Sequence, residues 1–170
     1  MSRNVELKAW DRDPAATLER AIAAGAAMMG TLEQRDTYFA VPRGRLKLRE
    51  EAGRPAALIA YERDDEARAR PSDYEVVRVP DAAAVHAELG RTLGVRAVVE
   101  KTRRLLLWEE TVRIHLDDVR ALGSFLEIEA VAAAGFDLAR EREQVRQLSA
   151  LLRVAPDDVL AVGYADLLLR

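Results

Sequence analysis

The chain has 170 residues, 49% apolar and 32% charged, with a net charge of −3 and a pI near 5.6; that is enough for one well-buried domain, is not the composition of a disordered chain, and leaves no global basic field to attract nucleic acid. Cysteine is absent, which excludes a disulfide framework and a thiolate metal site and fits a reducing cytoplasm. No apolar leader follows Met1 and no long uncharged apolar run occurs, so a cytoplasmic protein without signal peptide, membrane span or nucleic-acid partner is expected.

Val5 to Trp10 reads as a first strand, ended by Asp11-Arg12-Asp13-Pro14. The spacing of Leu18, Ile22, Gly25 and Met29 predicts a helix starting at Pro14, with Gly30 as its stop. Leu32 to Val41 is rich in strand formers, Pro42-Arg43-Gly44 is a turn, and Arg45 to Glu50 with Ala57 to Arg63 makes a hairpin. Asp64 to Pro71 is a charge run that reads as a solvated loop, mobile enough to serve as a lid. The strand Tyr74 to Val79 follows, then a short helix from Asp81 to Gly90 with Val85 and Leu89 on one face. Val95 to Trp108 and Thr111 to Leu116 form a second hairpin turning at Glu109-Glu110. Asp117 to Gly123 is a turn or helical corner before the strand Ser124 to Val131. Beyond Gly135 the pattern is helical: Leu138, Val145, Leu148 and Leu152 share a face, and a last helix after Pro156 carries Val159, Leu160, Tyr164, Leu167 and Leu168. No repeat or linker interrupts the chain. The expected fold is one α+β domain spanning residues 1–170, with about eight mostly antiparallel strands. That number closes a barrel, here with a charged interior and aliphatic outer faces covered by helices.

The charges recur at strand spacing. Arg45, Lys47 and Arg49 share one strand face, Lys101 and Arg103 another, and Arg113, His115 and Asp117 a third. A single strand of this kind is usually a solvated outer face. Converging faces would instead make a cationic cluster suited to phosphate oxygens, with Arg forks binding bidentately. Glu6, Asp117, Glu127 and Glu129 supply carboxylates, and Glu127 and Glu129 sit roughly 6–7 Å apart along one face. Carboxylates so placed repel unless a cation lies between them. Oxygen ligands without cysteine suit Mg²⁺ or Mn²⁺. His86 falls on a helix and reads as a surface or partly buried residue, while His115 either lines the site or packs beside it. Neither usual phosphate loop, G-x-x-x-x-G-K-[ST] or G-x-G-x-x-G, occurs, and no serine sits in an elbow-like context.

Several ordered segments together resemble the CYTH superfamily, the triphosphate tunnel metalloenzymes. They are Val5-Glu6-Leu7-Lys8, Gln34-Arg35-Asp36-Thr37-Tyr38-Phe39, Arg45-Leu46-Lys47-Leu48-Arg49-Glu50, Leu58-Ile59-Ala60-Tyr61-Glu62-Arg63, Val99-Glu100-Lys101-Thr102-Arg103, His115-Leu116-Asp117 and Leu122-Gly123-Ser124-Phe125-Leu126-Glu127-Ile128-Glu129. The arrangement is most similar to the class IV adenylyl cyclase-like branch. The resemblance implies an eight-stranded antiparallel tunnel that binds a triphosphate inside. Lys8, Arg45, Lys47, Arg49, Arg63, Lys101, Arg103 and Arg113 would hold triphosphate oxygens, with Lys8, Lys101 and Arg103 at the catalytic centre. Glu6, Asp117, Glu127 and Glu129 would hold one or two Mg²⁺ or Mn²⁺ ions. The implied activity is conversion of ATP to cyclic AMP and pyrophosphate. The alternatives are hydrolysis of tripolyphosphate or thiamine triphosphate, or a non-catalytic polyphosphate-binding module. Two positions depart from the family pattern. Asn4 stands where the motif Glu-x-Glu-x-Lys has its first glutamate, keeping an oxygen but losing a charge, and Arg63 stands in the stretch where a lysine is usual. A homodimer is compatible with the sequence, which predicts no interface.

Overall fold

Strict alternation in the strands decides the architecture. In β1 (Ser2–Trp10) Asn4, Glu6 and Lys8 point one way while Val5, Leu7 and Ala9 point the other, the latter three at most 8% exposed. A computed structural model describes residues 2–132 and 137–170, so Met1 and the expected boundary residue Gly135 lie outside it. After β1 come α1 (Pro14–Ala23), β2 (Ala27–Phe39), β3 (Arg45–Glu51), β4 (Arg54–Arg63), β5 (Arg70–Val79), α2 (Ala82–Leu93), β6 (Val95–Trp108), β7 (Val112–Val119), β8 (Gly123–Ala132), α3 (Ala139–Leu151), a 3₁₀ turn (Pro156–Asp158) and α4 (Tyr164–Leu168). The strands close into a barrel in the order β1-β5-β4-β3-β2-β6-β7-β8, every neighbouring pair antiparallel. The expected α+β fold is therefore present: an eight-stranded antiparallel barrel flanked by helices. Among the described residues no helix is long and apolar enough to cross a membrane.

The apolar core lies outside the barrel wall. The outer faces of β1, β7 and β8 (Val5, Leu7, Ile114, Leu116, Leu126, Ile128) pack with Val145, Leu148 and Leu152 of the α3 region and Ala21 of α1. Each fully buried Val, Leu or Ile there contributes about 1.5–3 kcal/mol relative to exposure. α2 covers a second patch, where Val85 and Leu89 meet Phe39, Leu48 and Val79. α4 caps one end of the barrel, setting Tyr164 among Tyr38, Val99 and Phe125. Moving the aliphatic residues outward frees the inward face for charge.

Several boundaries differ from expectation. α1 ends at Ala23, because Gly25 takes φ +89 and turns the chain into β2. The helical spacing of Ile22 and Met29 was fortuitous: both are more than half exposed, and Met29 belongs to a strand. Gly30, at φ +130, accompanies a bulge in β2 instead of stopping a helix. α2 runs past Gly90 to Leu93. The charge run Asp64 to Pro71 is not wholly a solvated loop, since Arg70 opens β5 and is 1% exposed. Asp117 is no corner residue: β7 continues to Val119, and the turn is placed at Ala121 with φ +67. The carboxylate that reads as a turn signal is directed into the barrel by its strand.

Candidate active site

Register fixes the layers of the bore. Taking as the mouth the end where β1 begins and β8 ends, β1 presents Asn4, Glu6 and then Lys8 going inward, β8 presents Glu129 and Glu127, and β6 presents Leu105, Arg103 and Lys101. β2 presents Leu32, Gln34, Asp36 and Tyr38 in the same direction. The cavity encloses about 390 Å³, within the range of small-molecule sites.

One wall is basic. Asp36, fully buried on β2, receives Arg49 through two bonds of 2.7 Å, Lys47 Nζ at 3.0 Å and Lys101 Nζ at 3.1 Å. Burial works to raise the Asp36 carboxyl, but the three cations, Arg49 first, hold it well below the usual range. Lys101 moves the other way: burial, helped by Arg103 and Arg49 and resisted by Asp36, lowers its ammonium to about 7. Tyr38 and Tyr61 stand beside this cluster, both phenols raised chiefly by burial, and Lys47 donates towards the Tyr38 hydroxyl at 3.5 Å.

The opposite wall mixes both signs. Arg103 forks onto Asp117 at 2.7 and 2.6 Å and reaches Glu127 at 2.9 Å. Glu127 also meets Lys8 at 3.0 Å and His115 Nδ1 at 3.2 Å. Burial pushes Glu127 up, yet Lys8, His115 and Arg103 hold it well below the usual range. Burial and Arg103 lower His115, so its ring is neutral near pH 7 and Nδ1 donates to Glu127. Tyr164 enters from α4, donating its hydroxyl to Asp117 at 2.8 Å while Lys8 Nζ sits 3.9 Å from the ring centroid. Asp117 thus has both oxygens engaged, and its carboxyl is held far down by Arg103 against the effect of burial.

Nearer the mouth are Glu6, Glu129 and Asn4. Glu6 lies directly opposite Glu129 in the β1–β8 pairing and accepts from Arg63 at 2.7 Å, with Arg70 Nε at 3.7 Å. Burial raises the Glu6 carboxyl, Arg63 and Lys8 oppose this, and Glu127 and Glu129 add to it. Asn4 Nδ2 donates to Glu129 at 2.6 Å, which leaves Asn4 Oδ1 buried without a hydrogen-bond donor among the described residues. Two carboxylates and an unpartnered amide oxygen are hard donors that suit Mg²⁺ or Mn²⁺ when substrate phosphates complete the shell. Among the described residues no group of three or more His, Cys, Asp or Glu side chains is arranged to hold an ion unaided.

Most of the expected residues therefore converge. Glu6, Lys8, Lys47, Arg49, Arg63, Lys101, Arg103, Arg113, Glu127 and Glu129 all line the cavity, with Arg113 at the mouth and half exposed. Asp117 is directed inward but is buried behind Arg103 and Tyr164. Arg45 is turned to the capped end, where Asp65 accepts its guanidinium at 2.5 Å, so the Asp64 to Pro71 segment lies there and not at the mouth. His115 lines the bore. Asp36, Gln34, Arg70 and Tyr164 carry structure here that the charge pattern alone did not single out. For Asp36 a signal existed, since Gln34, Asp36 and Tyr38 alternate with Arg35 and Thr37. Tyr164 had none, because it reaches the bore from a helix distant in sequence.

These features have counterparts in known proteins. No curated relative matches the sequence at a significant level. Among solved structures, the PH1012 protein of Pyrococcus horikoshii matches with a TM-score of 0.86 at 22% identity over 98% of this chain and 99% of that one. A Vibrio parahaemolyticus protein described as a candidate adenylate cyclase gives a TM-score of 0.77 at 20% identity, covering 98% of each chain. A candidate adenylyl cyclase from Hippeastrum, described as having a dominant triphosphatase activity, gives 0.62 at 14% identity, covering 99% of this chain and 94% of that one. At these identities the likeness is one of fold. The family model for the CYTH domain, however, matches residues 2–164, and with nearly the whole chain inside that match the protein belongs to the CYTH family.

Proposed function

We propose that the protein is a divalent-metal-dependent enzyme that closes ATP to cyclic AMP with release of pyrophosphate, in the manner of the class IV adenylyl cyclases. The observation that carries this is the unequal pairing on the basic wall, where Lys47, Arg49 and Lys101 share the single carboxylate of Asp36. An excess of buried cation is costly without an anion, and a triphosphate supplies several oxygens at the right height in the bore. In this reading Lys47, Arg49, Lys101 and Arg103 hold phosphate oxygens, and Lys8 and Arg63 orient the carboxylates Glu127 and Glu6. Arg113 guards the mouth, and Arg45 supports the capped end through Asp65. Glu6 and Glu129, with Asn4 Oδ1, would hold Mg²⁺ or Mn²⁺, while Glu127 is committed to Lys8, Arg103 and His115. Bound there, the metal neutralises charge on the phosphate oxygens.

The reaction forms the O3′–Pα bond, breaks the bond from Pα to the bridging oxygen, and sends the hydroxyl proton to solvent or a nearby base. Lys101 and Arg103 stabilise the charge that builds on the phosphates. The second reading is hydrolysis, with water attacking the terminal phosphorus of tripolyphosphate or thiamine triphosphate. It is favoured by the Hippeastrum protein, whose description pairs a cyclase name with a dominant triphosphatase activity. Incubation with Mg²⁺ or Mn²⁺ and each of ATP, tripolyphosphate and thiamine triphosphate decides between them. Cyclic AMP with pyrophosphate is the expected outcome. Orthophosphate from tripolyphosphate or thiamine triphosphate, without cyclic AMP, replaces the first reading with the second. Binding of tripolyphosphate without turnover of any substrate sinks both.

A further inference from the structure

Gln34 is 6% exposed and lines the bore one step towards the mouth from Asp36. Its amide orientation is dictated by charge: Nε2 donates to Glu51 Oε2 at 2.5 Å, and Glu51 Oε1 is held by Arg54 at 2.9 Å. A carboxylate only accepts, so the amide must face it with its NH₂ and turn its carbonyl away. Gln34 Oε1 is consequently buried with no hydrogen-bond donor among the described residues. Buried acceptors are almost always satisfied, so one fixed by a relay of two charged neighbours calls for a donor from a ligand.

The lining changes character at the same height. Leu32, Ile59, Val76 and Leu105, from four different strands, reach the cavity there, and Val76 is 54% exposed. Deeper on the same strands stand Asp36, Tyr61, Ser72 and Arg103. Phosphate oxygens gain nothing from aliphatic walls, whereas a flat ring does.

We propose that Gln34 is a specificity-determining residue: it accepts a hydrogen bond from an N–H of a nitrogen heterocycle that lies against these aliphatic side chains while the phosphates occupy the basic wall. The inference rests on the triphosphate reading of the bore and narrows it to nucleoside triphosphates carrying a base amino group, over bare tripolyphosphate. A site built around a hydrogen bond discriminates strongly against an analogue that lacks it.

Calorimetric titration of the intact protein tests this with three probes: ATP, purine riboside triphosphate (the same triphosphate without the amino group) and tripolyphosphate. Wild type should bind ATP about tenfold more tightly than the purine analogue. Gln34→Leu should erase that difference and leave tripolyphosphate affinity unchanged. Equal wild-type affinities for ATP and the analogue would overturn the proposal without recourse to any variant. A Gln34→Leu protein that loses tripolyphosphate affinity as much as ATP affinity would overturn it too. Tripolyphosphate bound with ATP rejected defeats this inference and the cyclase reading but leaves the triphosphate bore standing, whereas failure of wild type to bind either defeats the triphosphate reading too.

Discussion

On the wall built by β2, β3 and β6, three cations converge on one carboxylate, Asp36. On the wall built by β1, β7 and β8, Glu127 and Asp117 meet Lys8, a neutral His115 and, reaching over from β6, Arg103 in nearly matched pairs. The first wall is short of negative charge and the second is not. An incoming anion therefore gains most against β2 and β3, where Asp36 keeps the cations in place until it arrives. In the proposed function a metal would be held where carboxylates are less committed, at the mouth, with Glu6, Glu129 and the unpartnered oxygen of Asn4. The contrast predicts that removing the lone carboxylate of the basic wall damages stability, whereas removing a carboxylate at the mouth damages turnover.

Asp36→Asn should have the largest effect. It leaves Lys47, Arg49 and Lys101 facing one another without compensation, and breaking a buried ionic cluster costs on the order of 3–5 kcal/mol. For a chain of this size that lowers Tm by roughly 10 °C. Tripolyphosphate should restore more Tm to the variant than it adds to wild type, since it replaces the missing anion. An unchanged melting temperature would mean that the three cations do not depend on Asp36.

Glu129→Gln should behave in the opposite way. Its partners are Asn4 and the half-exposed Arg113, so Tm should move little. Metal-dependent turnover should fall on the order of 100-fold or more, because the metal loses a charged ligand. Full activity in this variant would remove the metal from the mouth. Lys47→Ala comes next. Losing a charge-assisted bond of about 1.5–3 kcal/mol should weaken triphosphate binding roughly 10–100-fold. An unaltered Michaelis constant and turnover number would place Lys47 outside the binding wall.

The barrel was legible because alternation is a local property. Arg45-Leu46-Lys47-Leu48-Arg49 states its two faces in five residues, β1 does the same with Asn4, Glu6 and Lys8, and β8 does so with acids. Which face turns inward was settled by the helices, whose apolar stripes need the aliphatic side. Pairing was less legible. Nothing within a single strand says that Arg103 spends its fork on Asp117 while Arg49 spends its own on Asp36, since each contact crosses to the next strand in the chain and depends on the register of that pair. Arg45 shows the limit of face-reading: it stands at the strand position expected of a wall cation, but lies one step too near the capped end and finds Asp65. Tyr164 marks the same limit from the other side, a residue on a helical stripe whose hydroxyl reaches the bore because α4 caps the barrel.

The smallest predicted effect tests the basic wall through its protons. Lys101 titrates near 7 in the unliganded fold, where burial and the Arg103 and Arg49 charges outweigh Asp36. An unfolded lysine titrates near 10.4, so its protonation opposes folding fully below pH 7, and that opposition is relieved as pH rises from about 7 towards 10.4. For ligand binding the sign reverses, because a triphosphate favours the ammonium and raises its pKa. Binding above pH 7 should therefore take up a proton, and affinity should fall by up to about tenfold per pH unit. Calorimetry with tripolyphosphate at pH 8, in two buffers of different ionisation enthalpy, measures that uptake directly. Lys101→Arg keeps the charge without titrating, so its uptake should be lower than wild type by close to one proton. Equal uptake by the two proteins would show that Lys101 is already charged in the empty bore, and that Asp36 compensates the basic wall more fully than its geometry implies.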